Sequence, residues 1–235
     1  MNKKRLVNVS IFLGLLSGML LFSTIPVLLF NIPYDKFNII GKAIYNFICD
    51  IIFIGFVFWL YRDKIITDFK NYFQNFRDNF EKSFKYYFIG AIVMVVSNLI
   101  ITLCFTNATA GNEETVRKLI GEAPLYMLFS VSIYAPFVEE MVFRHGIRKW
   151  FNAEKKNKLS KYLFALTTGF IFALLHILGR DSSIIDYVYI VPYMSLGCAF
   201  GLLYYETDNI FSSITMHALH NTATVILLFM SGGIL

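Results

Sequence analysis

Long apolar runs separated by short polar connections dominate this chain. They fall at about 6–30, 39–61, 86–105, 124–144, 160–178, 187–205 and 210–231, each near the ~20 residues that an α-helix needs to cross a bilayer. The pattern predicts an all-α, polytopic membrane helix bundle with seven transmembrane helices, or eight if one long run is really two short ones. The first run, Leu6 to Phe30, follows Lys3, Lys4 and Arg5. It is too long for a signal-peptide core and lacks a small-x-small cleavage site, so it reads as a retained span in a chain expected to begin near Met1.

Composition agrees with that pattern. Of the 235 residues 57% are hydrophobic and 16% charged, far from the balance of a soluble domain. The net charge of +5 does not call for nucleic acid, because the basic residues sit in loops beside apolar runs. With the N-terminus inside, segments 1–5, 62–86 and 145–161 hold three, six and six Lys/Arg, against one, two and one in 31–37, 106–123 and 179–186. That is the asymmetry of cytoplasmic and outer loops. Cys49, Cys104 and Cys198 are scattered through apolar segments, with neither the spacing of a metal site nor the pairing of a disulfide framework.

Between the second and third runs, Phe69, Phe73, Phe76, Phe80 and Phe84 recur every three or four residues among Lys70, Arg77, Lys82 and Lys85. Such periodicity fits an amphipathic helix at the membrane interface, or a cytosolic helix packed on its own domain. Gly14-x-x-x-Gly18 and Gly197-x-x-x-Gly201 permit close helix packing, a common pattern in membrane helices. The chain divides into N-terminal helices over 1–123, with the amphipathic junction at 62–86, and a second half over 124–235 that carries the unusual polar residues.

Those residues are few. A charged side chain at mid-membrane costs about 2.5–3.5 kcal/mol on insertion scales, so such groups are buried against protein and paired. The second run holds Lys42 and Asp50, the fourth Glu139, Glu140 and Arg144, the fifth His176, and the seventh His217, His220 and Asn221. Glu140 and Arg144, four apart, share a helix face in the favourable order for an ion pair, whereas Glu139 is turned from them by about 100°. One glutamate is thus neutralised and one left free. His217 and Asn221 have the same four-residue spacing, as do Phe172 and His176. Taken singly, Glu140 with Arg144 suits a structural ion pair, and each histidine suits a packed, hydrogen-bonded side chain as well as a functional one. Lys42 reads as snorkelling, Asp50 as either a packing hydrogen bond or function, and His145 and His220 as neighbours rather than catalysts. Converging, a carboxylate, two imidazoles and a carboxamide make a hydrolytic centre: the carboxylate takes a proton from water, an imidazole holds the water, and His and Asn donors stabilise an oxyanion.

Glu-Glu-x-x-x-Arg at 139–144, Phe-x-x-x-His at 172–176 and His-x-x-x-Asn at 217–221, in that order on successive apolar runs, resemble the CPBP family of CAAX proteases and bacteriocin-processing enzymes. The resemblance covers about residues 124–231. It implies an eight-helix membrane fold and peptide-bond hydrolysis in a cavity open towards the cytoplasm, in a bacterial plasma membrane, since the many Phe, Ile, Asn and Lys residues point to a low-GC bacterium. By this likeness Glu139 and His176 activate water, His217 and Asn221 form the oxyanion site, and Glu140, Arg144 and Phe172 give structural support. The implied partner is a peptide or membrane-protein substrate in the lipid bilayer. The family has been read both as metal-free and as zinc-dependent; without an HExxH motif, the zinc ligands here would be Glu139, His176 and His217, and the metal-free reading is favoured.

Two other functions remain open at this level: a non-catalytic immunity or scaffold protein of the same fold, and a proton-coupled transporter. The transporter lacks the expected internal repeat and second acidic cluster. One geometric conflict also stands. With simple span boundaries Glu139 lies about five residues from the cytoplasmic end of its helix and His176 about fifteen from its own, a mismatch of roughly 15 Å. Either residues 160–165 lie at the interface, or the fourth helix extends to Trp150 beyond the bilayer.

Overall fold

A computed structural model describes residues 3–105, 111–151, 157–178 and 184–230, and among these the only regular elements are helices. Six single helices are long and apolar enough to span a membrane, and a bent pair brings the number to seven. The bent pair is the first run, where α1 (Lys3–Leu21) meets α2 (Thr24–Phe30) at 75°. Pro26 accounts for the break, since it has no N–H for the carbonyl of Phe22 and its ring clashes there. The expected single first span is therefore two helices joined at a sharp bend.

The second run is α3 (Ile39–Leu60), whose N-terminus is capped by Asn38 Oδ1 accepting from the Gly41 N–H at 2.8 Å. The junction divides at Asn75 into α4 (Arg62–Gln74) and α5 (Phe76–Cys104). Helix α4 buries Ile65, Asp68 and Tyr72 against the bundle, while Phe69, Phe73, Phe76 and Phe84 stay 42–49% exposed. One face of this segment thus packs on its own domain, and the other presents a half-exposed row of rings. Helix α6 (Gly111–Glu122) precedes α7, the fourth span (Pro124–Lys149); then come α8 (Lys158–Ile177), a 3₁₀ turn (Ile184–Tyr189), α9 (Ile190–Thr207) and α10 (Ile210–Met230).

Helix α7 continues well past residue 144, so Glu139 lies ten residues from its inner end rather than about five. That is the second resolution offered by the sequence, but α8 also starts earlier, at Lys158, so His176 lies eighteen residues from its own inner end and the mismatch falls only from ten residues to eight, about 12 Å at 1.5 Å per residue. The helix is also irregular. Ser130–Tyr134 and Met141–Gly146 are π-helical and flank the α-helical turn Ala135–Glu140, a form common at functional sites.

Small residues bring α8 and α9 together. A Cβ on Gly197 would lie 2.8 Å from the Gly169 Cα, and one on Gly201 would lie 2.6 Å from Thr168 Oγ1 and 3.0 Å from the Ala165 Cα. The second Gly-x-x-x-Gly pair is therefore a true packing seam. The first is not: a Cβ on Gly14 meets nothing within 4 Å, and only Gly18 is pressed, by the Phe53 ring.

The inner ends are tied by polar contacts. Asn8 Nδ2 donates to the Lys149 carbonyl at 3.1 Å, placing the start of α1 beside the end of α7. Lys64 and Arg148 both reach Asp208, at 3.7 and 3.1 Å, and Lys161 pairs with Glu206. Asp68 caps α10 from another helix, its Oδ2 accepting from the Ile210 N–H at 2.8 Å. Burial pushes the Asp68 carboxyl pKa up, opposed by that N–H and by Lys64.

Gly197→Leu is expected to lower the melting temperature of the purified protein and its membrane abundance, at a cost of about 1–3 kcal/mol for overpacking a close seam. Gly14→Ala should leave both unchanged. Thermal unfolding in detergent compares them directly; equal stability of the two variants would remove the seam's role.

Candidate active site

The centre is built around one fully buried ion pair. Glu140 Oε2 lies 3.1 Å from Arg144 Nε, and both side chains are 0% exposed. The contact is charge to charge rather than an aligned hydrogen bond, and among the described residues the guanidinium has no hydrogen-bond partner. Aromatic faces take its place: Arg144 Cζ sits 5.2 Å from the Phe172 ring centroid and 6.0 Å from that of Phe200, a cation–π arrangement strengthened by desolvation. Phe172 of the Phe-x-x-x-His motif is thus the surface on which the arginine rests.

The other oxygen of Glu140 reaches α10. His217 Nδ1 lies 3.0 Å from Glu140 Oε1, and since a carboxylate oxygen there can only accept, Nδ1 carries the proton. The imidazole stacks on Phe200 at 5.3 Å and meets the edge of Phe172 at 5.7 Å, so its orientation is fixed on three sides. Its Nε2 faces Glu139 Oε2 at 3.9 Å. That is too long for a direct hydrogen bond, but a single water can bridge two acceptors or donors at this separation. Adjacent glutamates therefore address opposite nitrogens of one histidine, an arrangement the 100° rotation foreshadowed only as two separate directions.

His176 is held in the same way by a different partner. Its Nδ1 lies 2.8 Å from the Phe172 carbonyl oxygen, which again places the proton on Nδ1 and leaves Nε2 with its lone pair. The ring is sandwiched between Phe172 at 4.3 Å and Tyr193 at 4.9 Å. Asn221 Nδ2 donates to the Val131 carbonyl at 2.9 Å. Val131 lies in the first π-helical segment, where the altered ladder leaves a carbonyl open to a side chain. One amide hydrogen thus anchors Asn221 and the other is left over.

A cavity of about 430 Å³ runs between α5, α7, α8, α9 and α10, and Glu139, Phe172, His176, Phe200, His217 and Asn221 all line it. Glu140 and Arg144 stand behind its wall. Glu139 Oε2 is buried and has no hydrogen-bond partner among the described residues. A second cavity of the same volume, between the outer ends of α3 and α7, is lined by residues such as Ile40, Phe47 and Leu125, with Glu122 its one carboxylate and no histidine.

The remaining polar residues separate from this site or border it. Asp50 accepts from the Tyr126 hydroxyl at 3.1 Å, and Lys42 lies 5.4 Å from the Tyr34 ring centroid. His145 is buried on the inner side with Nδ1 2.9 Å from Tyr204 Oη. None of these three lines the cavity. His220 does, with Nδ1 3.3 Å from Tyr87 Oη of α5, so it is closer to the chemistry than its reading as a bystander implied. Tyr193 and Phe200, which clamp the two histidines, look in sequence like any aromatic residue of a membrane helix.

Among the described residues no three His, Cys, Asp or Glu side chains are grouped closely enough to hold a metal ion. Glu139, His176 and His217 line one cavity but are not drawn together as a ligand set in this arrangement.

Comparison with known proteins agrees with the motifs. Residues 121–223 match the model of the Rce1-like type II CAAX prenyl endopeptidase family. Among curated proteins it is similar to the membrane-embedded CAAX protease MroQ of Staphylococcus aureus (strain USA300), with 30% identity over 145 residues, 59% of this chain and 55% of the relative. The chain thus matches little more than half the length of that relative. No solved structure matches it.

Glu140→Gln is expected to lower membrane abundance sharply, because it leaves Arg144 buried without its counter-charge, at a cost of about 3–5 kcal/mol for a broken buried pair. Glu139→Gln should leave abundance near normal. Quantitative membrane blots test the contrast, and equal loss in both variants would show that the two glutamates share the structural task.

Proposed function

We propose that the protein is an intramembrane endopeptidase of the bacterial plasma membrane that hydrolyses a bond in a peptide or membrane-associated protein. The observation that carries this reading is Glu139, a half-buried carboxylate with one buried oxygen unpartnered among the described residues, on a cavity shared with two oriented imidazoles and a carboxamide. A carboxylate buried without a donor is costly, and a water held there relieves that cost while providing the nucleophile.

The steps follow from which atoms are already engaged. Glu139 accepts a proton from the water, His176 Nε2 orients it, and the hydroxide oxygen attacks the scissile carbonyl carbon. Negative charge moves onto the carbonyl oxygen. There the free amide hydrogen of Asn221 donates, together with His217 Nε2–H when that ring is protonated on both nitrogens and Glu140 holds Nδ1–H. Collapse breaks the C–N bond, and Glu139 returns its proton to the leaving amine. Glu140, Arg144 and Phe172 keep the donors in place without touching the substrate. All protons in this metal-free cycle are carried by side chains.

Glu139→Gln should reduce hydrolysis by at least about 10²-fold, the usual range for losing a general base, in membranes holding normal amounts of the protein. Activity retained in that variant would overturn the reading in favour of a non-catalytic scaffold. Purified enzyme treated with a strong chelator should keep its rate, and His217→Asn should retain a fraction of it, since an amide still donates to an oxyanion. Loss of turnover on chelation, with rescue by stoichiometric zinc, would replace the metal-free mechanism.

A further inference from the structure

The cavity has a direction. Besides the residues already placed in it, its wall includes Met94 and Asn98 in the later part of α5, Val116 of α6, Tyr189 before α9, and Thr224 and Leu228 towards the end of α10. The basic residues of the chain identify which surface these ends approach. Asn8 meets Lys149, Arg148 and Lys64 meet Asp208, and Lys161 meets Glu206, so the start of α1, the end of α7, the start of α8 and the end of α9 lie together. That is the Lys/Arg-rich side, and by the positive-inside rule it is cytoplasmic.

From that surface α5, α8 and α10 run outwards, and the cavity is lined by their far portions: Asn98 is six residues from the end of α5, His176 is the penultimate residue of α8, and Thr224 is six residues from Met230. Helix α6, which contributes Val116, follows the outer end of α5. The inner side is filled. Glu140 and Arg144 are fully buried beneath Glu139, and Phe143, Tyr204, Ile210 and Tyr72 below them are at most 1% exposed. None of these residues borders the cavity.

We infer that substrate reaches Glu139 from the non-cytoplasmic side, as a segment of polypeptide that has already crossed the membrane. This rests on the reading of the cavity as a hydrolytic site, and it departs from the cytoplasmic opening that the family likeness implies. The wall suits such a guest: Met94, Leu196, Val225 and Leu228 offer apolar contact, while Asn98 and Thr224 offer polar contact to a backbone.

Thiol accessibility tests the direction without requiring turnover, so its outcome is separate from whether the protein is a hydrolase. In a chain with Cys49, Cys104 and Cys198 replaced by alanine, single cysteines are introduced as Thr224→Cys and Asn98→Cys in the cavity. Lys118→Cys reports the outer surface and Lys149→Cys the inner one. A charged, membrane-impermeant maleimide added to intact cells reacts with thiolate in contact with water. Thr224→Cys and Asn98→Cys should label in intact cells at rates close to Lys118→Cys, and at least about tenfold faster than Lys149→Cys, which should react only after permeabilisation. Thr→Cys at an exposed position is nearly isosteric, and abundance is checked by blotting. Three results overturn the inference: cavity thiols that label only after permeabilisation, cavity thiols inert from both sides, or Lys118→Cys protected in intact cells.

Discussion

Everything at the centre of this protein depends on keeping one guanidinium inside a membrane. Arg144 is fully buried, and an isolated cation there is among the most expensive groups a helix can carry. The fold meets that cost with one carboxylate and two aromatic faces, contributed by three helices: Glu140 from α7, Phe172 from α8 and Phe200 from α9. Because electrostatic attraction in a low dielectric is long-ranged and the ring faces are directional, those helices have one arrangement in which the charge is covered. The same arrangement brings His217 onto Glu140 and His176 onto the Phe172 carbonyl. Orientation of the imidazoles is therefore a by-product of neutralising the arginine.

The interior also shows how little freedom such a site leaves. Each imidazole has one nitrogen tied to a group that only accepts and one turned towards the cavity, and the carboxamide is anchored by a single hydrogen. Groups positioned before substrate arrives lose little entropy on binding it. The neighbouring α8–α9 seam serves that end, since the glycines at 169, 197 and 201 bring two backbones close enough for Phe172 and Phe200 to share one cation.

Much of this was legible in the sequence because the bilayer makes polar residues conspicuous. The spans follow from apolar length, and the Glu140–Arg144 pair follows from four-residue spacing in a place where charge is penalised. The convergence of Glu139, His176, His217 and Asn221 on one cavity was expected from the joint motif. What the sequence hid were mostly features that polarity does not mark. Tyr193 and Phe200 are indistinguishable from lipid-facing rings until their neighbours are known. The bend at residues 22–23 divides a run whose apolar length looks like a single span. Asp68 gave no sign that it would cap another helix, because its partner Ile210 is 142 positions away. The π-helical segments were invisible as well, since periodicity arguments assume 3.6 residues per turn throughout.

Those π-helical segments bear on how chains of this kind are related to one another. Each amounts to about one residue more than an α-helix needs to cover the same rise, and one residue of register is a rotation of about 100°. Residues 130–134 precede the glutamates and 141–146 follow them, so the stretch carrying Glu139 is phased independently of the lipid-facing surfaces at either end. A one-residue gap in this helix, when two such sequences are aligned, marks a change of azimuth rather than of length. Two chains that keep both glutamates but differ by such a gap would aim them at different neighbours.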